Sequence, residues 1–228
     1  MNPVVLIATH HRKEITSRNI ELLFTQSRVP EIVLVCSEED EYKYFQNKYP
    51  SVHVLQHKNN PLGEKWGFGA RTAASLNPSP LIILGSDDLF GKYFIRNICA
   101  EIQKGYDFVG INRWWLHEEG KKEAYLLQYT VSNFPLGGGR AYSKRILEKM
   151  KYRIFDEKKD RRLDDFGWVE AKKKGAKSII ISEVEKNGLN IVSIKGKWET
   201  MNSANTILKA RSVQVIEKFD KSKLEGLL

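Results

Sequence analysis

The residues best equipped for chemistry in this chain are two acidic pairs. Ser86-Asp87-Asp88 follows the apolar run Leu81-Ile82-Ile83-Leu84, with Gly85 as the hinge. A short apolar run bounded by turn residues predicts a buried strand of a parallel sheet. Adjacent carboxylates at the C-terminal end of such a strand sit where open α/β sheets bind ligands. Asp87 and Asp88 could there hold a hard divalent cation, Mn2+ or Mg2+, which would neutralise a diphosphate. Gly, Ser and Asp are also turn formers, so the tripeptide by itself reads equally well as a plain turn. The second pair, Asp164-Asp165, stands at the start of a helical pattern. A carboxylate there could take a proton from a hydroxyl, or simply cap the helix and complement its dipole.

The elements that must position these groups alternate over the first half. Strands are predicted at Val4–Ala8, Ile32–Cys36, Val52–Gln56, Leu81–Leu84 and Phe108–Ile111. Helices are predicted at residues 14–26, 38–48, 63–76 and 92–103. This alternation implies an α/β fold with a mostly parallel central sheet and helices on both faces. The second half is less regular, with a strand at residues 125–131, helices at 143–150 and 165–174, and a strand at 178–181. Residues 203–219 read as a C-terminal helix or pair of helices. One domain spans residues 1–228, a nucleotide-binding half (1–112) preceding an acceptor-binding half (113–228).

Composition narrows the function class. The chain has 228 residues and a formal charge of +9. From Arg140 to Lys177 basic residues outnumber acidic ones two to one, so most of the excess sits in that stretch. A basic surface favours phosphate-rich partners such as nucleic acid, a nucleotide or an anionic membrane, although a Lys-rich solvated surface looks the same. No apolar run approaches the ~20 residues of a membrane span. The N-terminus lacks a signal-peptide pattern, so no stable membrane insertion and a cytoplasmic location are expected. Cys36 and Cys99 fall in apolar patterns and read as small core residues. His10 and His11 are adjacent and would not face one way on a helix or a strand, so a shared metal is not expected.

Four segments, in this order and spacing, resemble a GT-A-fold glycosyltransferase of the inverting, family 2 type. They are Val5 to Arg12 with the strand at residues 32–35, Asn60-Pro61-Leu62-Gly63-Glu64-Lys65-Trp66, Ser86-Asp87-Asp88, and Gly137-Gly138-Gly139-Arg140 followed by Leu163 to Trp168. The resemblance implies a single Rossmann-like domain that moves a sugar from a nucleotide sugar, by default a UDP-sugar, to an acceptor hydroxyl. It implies that Asp88 ligates Mn2+ or Mg2+, and that Asp87 contacts the ribose or a metal-bound water, with Ser86 beside them. Thr9, His10 and Arg12 would lie against the nucleobase or phosphate. The family's acidic residue after the second strand is replaced by Cys36 and Ser37, with Glu38 just beyond; Ser37 or Glu38 could substitute for it. Lys65 and Arg71 would flank a glycine-containing helix start near the donor. Asp165, the second residue of its pair, would be the base, supported by Asp164. Gly138, Gly139, Arg140 and Trp168 would meet the acceptor, and Trp114 and Trp115 could give stacking faces. Lys195, Lys197 and Trp198 lie where family members sometimes close over the diphosphate.

The acceptor implied is a saccharide or a polyanion, including a modified base in DNA, which an enzyme must expose before acting on it. Two other readings stay open. A non-enzymatic nucleic-acid-binding α/β domain would make the basic stretch the function and the aspartates turns and caps. A nucleotidyltransferase would share the sheet and the metal carboxylates, but usually has glycines straight after the first strand, where this chain has Thr9-His10-His11-Arg12.

Overall fold

The computed structural model describes residues 1–131, 134–161, 163–197 and 203–227. In chain order the elements are β1 (Val4–Thr9), α1 (Lys13–Phe24), β2 (Glu31–Cys36), α2 (Glu39–Lys48), β3 (His53–Gln56), α3 (Leu62–Ala73), β4 (Leu81–Gly85), β5 (Asp88–Phe90), α4 (Phe94–Gln103) and β6 (Phe108–Ile111). They continue as β7 (Arg113–Glu118), β8 (Glu123–Tyr129), β9 (Arg140–Tyr142), α5 (Lys144–Met150), α6 (Leu163–Lys173), β10 (Ser178–Ile181), β11 (Ile191–Lys195), α7 (Ala204–Leu208) and β12 (Val213–Asp220). Short 3-10 turns follow α3 and β12.

The strands form two mixed sheets. The 7-stranded sheet has the order β10-β6-β9-β4-β1-β2-β3, and the 5-stranded sheet the order β12-β8-β7-β11-β5. In the larger sheet β1, β2, β3 and β4 run parallel, as the alternating pattern predicts. β9 enters antiparallel between β4 and β6. This corrects the expectation of a mostly parallel sheet. The reason is that β9 returns from a long excursion through the smaller sheet, not from a helical crossover, so the right-handed βαβ rule does not apply to it.

The C-terminal expectation is also corrected. Where residues 203–219 suggested helix, only α7 is helical, and β12 pairs antiparallel with β8. The segment Val213-Gln214-Val215-Ile216 carries two β-branched valines and an isoleucine, and its partner strand overrides the weak helical spacing. β5, β7, β9 and β11 were not foreseen. β5 and β9 span only three residues each, the partners of β11 lie far along the chain, and β7 is the first arm of a hairpin with β8.

Local chemistry explains the helices. Ser143 caps α5, its hydroxyl accepting from Ile146 N at 3.3 Å. Glu39, Asp40 and Glu41 open α2 and Lys48 closes it, the arrangement a helix dipole favours. α4 buries Phe94, Ile95, Ile98, Cys99 and Ile102 along one stripe. The apolar faces pack on both sides of the larger sheet. Val5 and Ile7 join α1, α2, α4 and the inner residues of the smaller sheet. Val4 and Leu6 join α3, α5 and α6. Asp107 ties three of these elements together: it accepts from Ser143 Oγ at 2.9 Å, Arg145 Nε at 2.7 Å and Lys177 N at 2.9 Å.

The start of α3 sits tightly under the 156–160 loop. Gly63 N donates to Lys159 O at 2.8 Å. A Cβ on Gly63 would strike the Asp156 carbonyl oxygen and stand 2.8 Å from that of Lys159. Backbone cannot step aside as a side-chain tip can. Gly63→Ala is therefore expected to destabilise the protein by roughly 1–3 kcal/mol, the range for overpacking, read as a lower midpoint in urea unfolding with an unchanged slope.

Candidate active-site cleft

The Asp87-Asp88 pair lies in a turn that the tertiary structure holds on all sides. Asn19 of α1 donates to Gly85 O at 2.9 Å and to Asp88 O at 2.7 Å. β11 pairs with β5 so that Ser193 stands opposite Asp88, and Ile194 N donates to Asp87 O at 2.9 Å. Two residues along the same face, Lys195 Nζ donates to Asp87 Oδ2 at 2.7 Å. Arg12, leaving β1, approaches Asp87 Oδ1 at 3.7 Å and donates to Ser86 Oγ at 3.2 Å.

The two carboxylates are thereby made unlike. Burial alone would push Asp87 up, but the charges of Lys195 and Arg12 outweigh it and hold its carboxyl below 3.8. Burial and the neighbouring Asp87 charge push Asp88 up to about 6. Asp88 Oδ2 accepts from Gly85 N at 2.8 Å, and a Cβ at Gly138 would strike that same oxygen. Only glycine lets this loop approach so closely.

On the far side of the glycine loop stands Asp164. Arg140, almost fully buried, spends its guanidinium there: Nη1 donates to Asp164 O at 2.8 Å and Nη2 to Asp164 Oδ1 at 3.0 Å. Arg140 Nε donates to Gly137 O at 2.8 Å. Gly139, at φ 80°, then turns the chain into β9. Asp87, Asp88, Gly137, Gly138, Arg140, Asp164 and Lys195 all line one cleft of about 620 Å³, walled by Trp66, Trp114, Tyr129 and Phe155. Its residues come from both sides of position 112.

A second group gathers at the ends of β1 and β2. Lys65, fully buried on α3, donates to Thr9 O, to Ser37 Oγ at 2.5 Å and to Asn59 Oδ1 at 3.2 Å. Burial pulls this amine down to about 8. His10 Nδ1 lies 3.3 Å from Glu38 Oε1. Arg12, from the same loop as Thr9 and His10, reaches Ser86 and Asp87, which sets this group beside the acidic turn.

Several of the expected residues are placed elsewhere. Trp168 is packed in the core with its ring 4.7 Å from that of Phe108, because its position on α6 faces the sheet. Arg71, in the last turn of α3, pairs with Glu157 outside the cleft. Asp165 lines a neighbouring concavity of about 870 Å³ with Lys158, Lys159, Arg161 and Lys173, so Asp164 is the member of the pair that lines the central cleft. Successive residues of β7 diverge: Trp114 lines the cleft and Trp115 enters the main core. Lys197 lines a third concavity with His11, Arg12 and Lys13, and Trp198 lies outside the described residues.

Asn19, Asn59, Trp66 and Tyr129 were not singled out in the sequence. Asn19 is a polar residue on the apolar face of α1, a signal that a buried partner awaits it. Asn59 and Trp66 fall within or beside the Asn60-to-Trp66 motif. Nothing in the sequence marks Tyr129.

No family model matches the chain, and no curated protein matches it. Among solved structures the fold is similar to that of S. aureus TarS, a GT-A-type glycosyltransferase, with a TM-score of 0.63 at 15% identity. The likeness covers 80% of this chain and 35% of the TarS chain. It establishes a glycosyltransferase-like fold. Among the described residues no helix is long and apolar enough to cross a membrane.

The Asp88 shift has a direct consequence for stability. With a folded-state pKa near 6 against an ordinary 3.8, the group's favourable contribution is fully present below 3.8. It is lost as pH rises toward 6, above which Asp88 is ionised at a cost. In metal-free protein, Asp88→Asn is expected to raise the thermal midpoint at pH 7.5, by about 2–4 °C per kcal/mol for a chain of this size. The gain should vanish near pH 4, as scanning calorimetry at the two pH values would show.

Proposed function

We propose that this chain is an inverting glycosyltransferase of the family 2 type, acting on a nucleotide sugar. What carries the reading is one cleft in which the Asp87–Lys195 ion pair and Asp88 lie across a glycine loop from an Arg-held carboxylate, within a glycosyltransferase-like fold. Residues before 113 would bind the donor, with Lys195 joining them from the later half. Thr9, His10, Ser37 and Glu38 would lie against the base of the nucleotide, with the buried Lys65 positioning Thr9 and Ser37 from beneath. UDP is the default donor nucleotide by resemblance.

Arg12 and Lys195 would meet the diphosphate as charge-assisted donors, Asp87 setting their positions. The carboxylate oxygens of Asp88 suit a hard cation, whereas both oxygens of Asp87 already face cationic side chains, so Asp88 would be the ligand for Mn2+ or Mg2+. When bound there, the ion would supply Lewis-acid stabilisation of the negative charge growing on the leaving phosphate. We assign the general base to Asp164, which lines the cleft and is oriented by Arg140, and a supporting place to Asp165. Gly137 and Gly138 would let the backbone approach the sugar, and Trp114 and Tyr129 would offer ring faces to it. Next to Asp165, Lys158, Lys159, Arg161 and Lys173 stand against Asp160 and Glu170, and with the basic excess of residues 140–177 this modestly favours an acceptor with negative charge, a modified base in DNA or an anionic saccharide.

Thermal-shift measurements with UDP, GDP, CDP and dTDP, each with and without Mn2+, test the reading. A midpoint rise with one nucleotide, enlarged by Mn2+, is the expected outcome. No rise with any of them, together with steeply salt-dependent DNA binding that ignores Asp88→Asn, would favour the binding-domain reading. Lys195→Ala should weaken nucleotide binding by at least roughly 10-fold, because it removes a charged donor and also the buried partner of Asp87. Asp164→Asn should abolish sugar transfer while leaving nucleotide affinity within about twofold, a separation of binding from chemistry. Full transfer by Asp164→Asn would remove that residue from the mechanism.

A further inference from the structure

His10 and His11 leave β1 in a conformation that is neither helical nor extended. His11 sits at φ 56°, in the left-handed region, which histidine tolerates better than most residues. That one turn brings two adjacent side chains onto the same side: their ring centroids are 4.0 Å apart. Glu38, which ends the loop after β2, points its carboxylate between them. Its Oε1 is 3.3 Å from His10 Nδ1 and 3.9 Å from His11 Nε2. One ligand atom from each of the three residues lies within 4.8 Å of the other two.

We propose that His10, His11 and Glu38 bind a transition-metal dication of the zinc type, leaving at least one coordination position open. Two nitrogens and one carboxylate oxygen are the donor set of open, tetrahedral zinc sites. Metal–ligand bonds of about 2.0–2.1 Å set adjacent ligands of a tetrahedron about 3.3 Å apart. The separation of His10 Nδ1 from Glu38 Oε1 is 3.3 Å.

A second observation points the same way. His10 Nδ1 is a buried atom with no hydrogen-bond partner, although Glu38 is within range. An N–H there would be misdirected, and a lone pair there would face a carboxylate. A cation between the two satisfies both. Lys65 opposes a cation at this place, while Glu38 and Glu41 favour one.

The site is chemically distinct from Asp88, whose oxygen donors suit Mg2+ or Mn2+. It shares His10 and Glu38 with the wall proposed for the nucleobase, but Zn2+ binding is read without any nucleotide, so either reading can fail alone.

The test uses tag-free, chelator-stripped full-length protein titrated with ZnCl2 by calorimetry and with Co2+ by visible absorption. One equivalent of Zn2+ should bind. The Co2+ complex should show tetrahedral ligand-field bands without thiolate charge transfer, which sets aside Cys36. His11→Ala and Glu38→Gln should each weaken Zn2+ binding at least tenfold while keeping the thermal midpoint of the metal-free protein. His11 is two-thirds exposed (66%), so its truncation is compatible with folding. Asp88→Asn should leave the Zn2+ titration unchanged. Absence of stoichiometric Zn2+ binding, binding untouched by both variants, or binding lost in Asp88→Asn would each overturn the proposal.

Discussion

The buried ion pair between Asp87 and Lys195 is the constraint around which the cleft is arranged. It joins residues 108 positions apart and lies where β11 pairs with β5 at the edge of the smaller sheet, directly after β4 of the larger one. Neither charge could be buried alone: an unpaired carboxylate at that depth would protonate or draw in water. Paired, they differentiate the two aspartates. Asp87 is committed to cationic side chains and stays ionised, so its charge bears on Asp88 and raises it. The unequal carboxylates of the turn thus follow from burial of both together with the Lys195 and Arg12 charges aimed at Asp87.

The other wall obeys the same logic with different parts. Arg140 is buried because its donors are consumed by Asp164 and Gly137, not because it waits for a phosphate. That leaves the Asp164 carboxylate half-exposed, fixed in direction and facing the cleft. The glycines at 137 and 138 earn their place by absence of volume: carboxylate oxygens of Asp164 and Asp88 stand where a Cβ would be. Positioning by buried charge on each side, with backbone between, gives a rigid frame for a substrate whose reacting bond would lie in the middle.

The first half of the fold was legible because its signals are local. The apolar runs of β1, β2 and β4 are buried on both faces and need no partner to be recognised. The helices between them carry stripes and caps within a dozen residues. The candidate site was legible to the same extent: Ser86-Asp87-Asp88, Arg12, Lys65 and the Gly137-to-Arg140 loop occur as short motifs. Trp168 and Arg71 are placed away from the central cleft, because residue type does not say which way a helix turns its face. His10 and His11 were set apart by a rule valid for helices and strands, and the positive φ of His11 lies outside that rule.

By itself the sequence determined the alternating α/β order, the carboxylate turn after β4, the basic second half and the motifs that resemble glycosyltransferases. Tertiary structure alone decided that β9 and β12 would reverse direction, that Lys195 would neutralise Asp87, that Asn19 would pin the turn, and that Asp164 would face the cleft. The physical reason is range. Hydrophobic period, capping and turn preference act over a few residues. Strand pairing across 50 or more positions and the pairing of buried charges are chosen by the free energy of the whole packed chain.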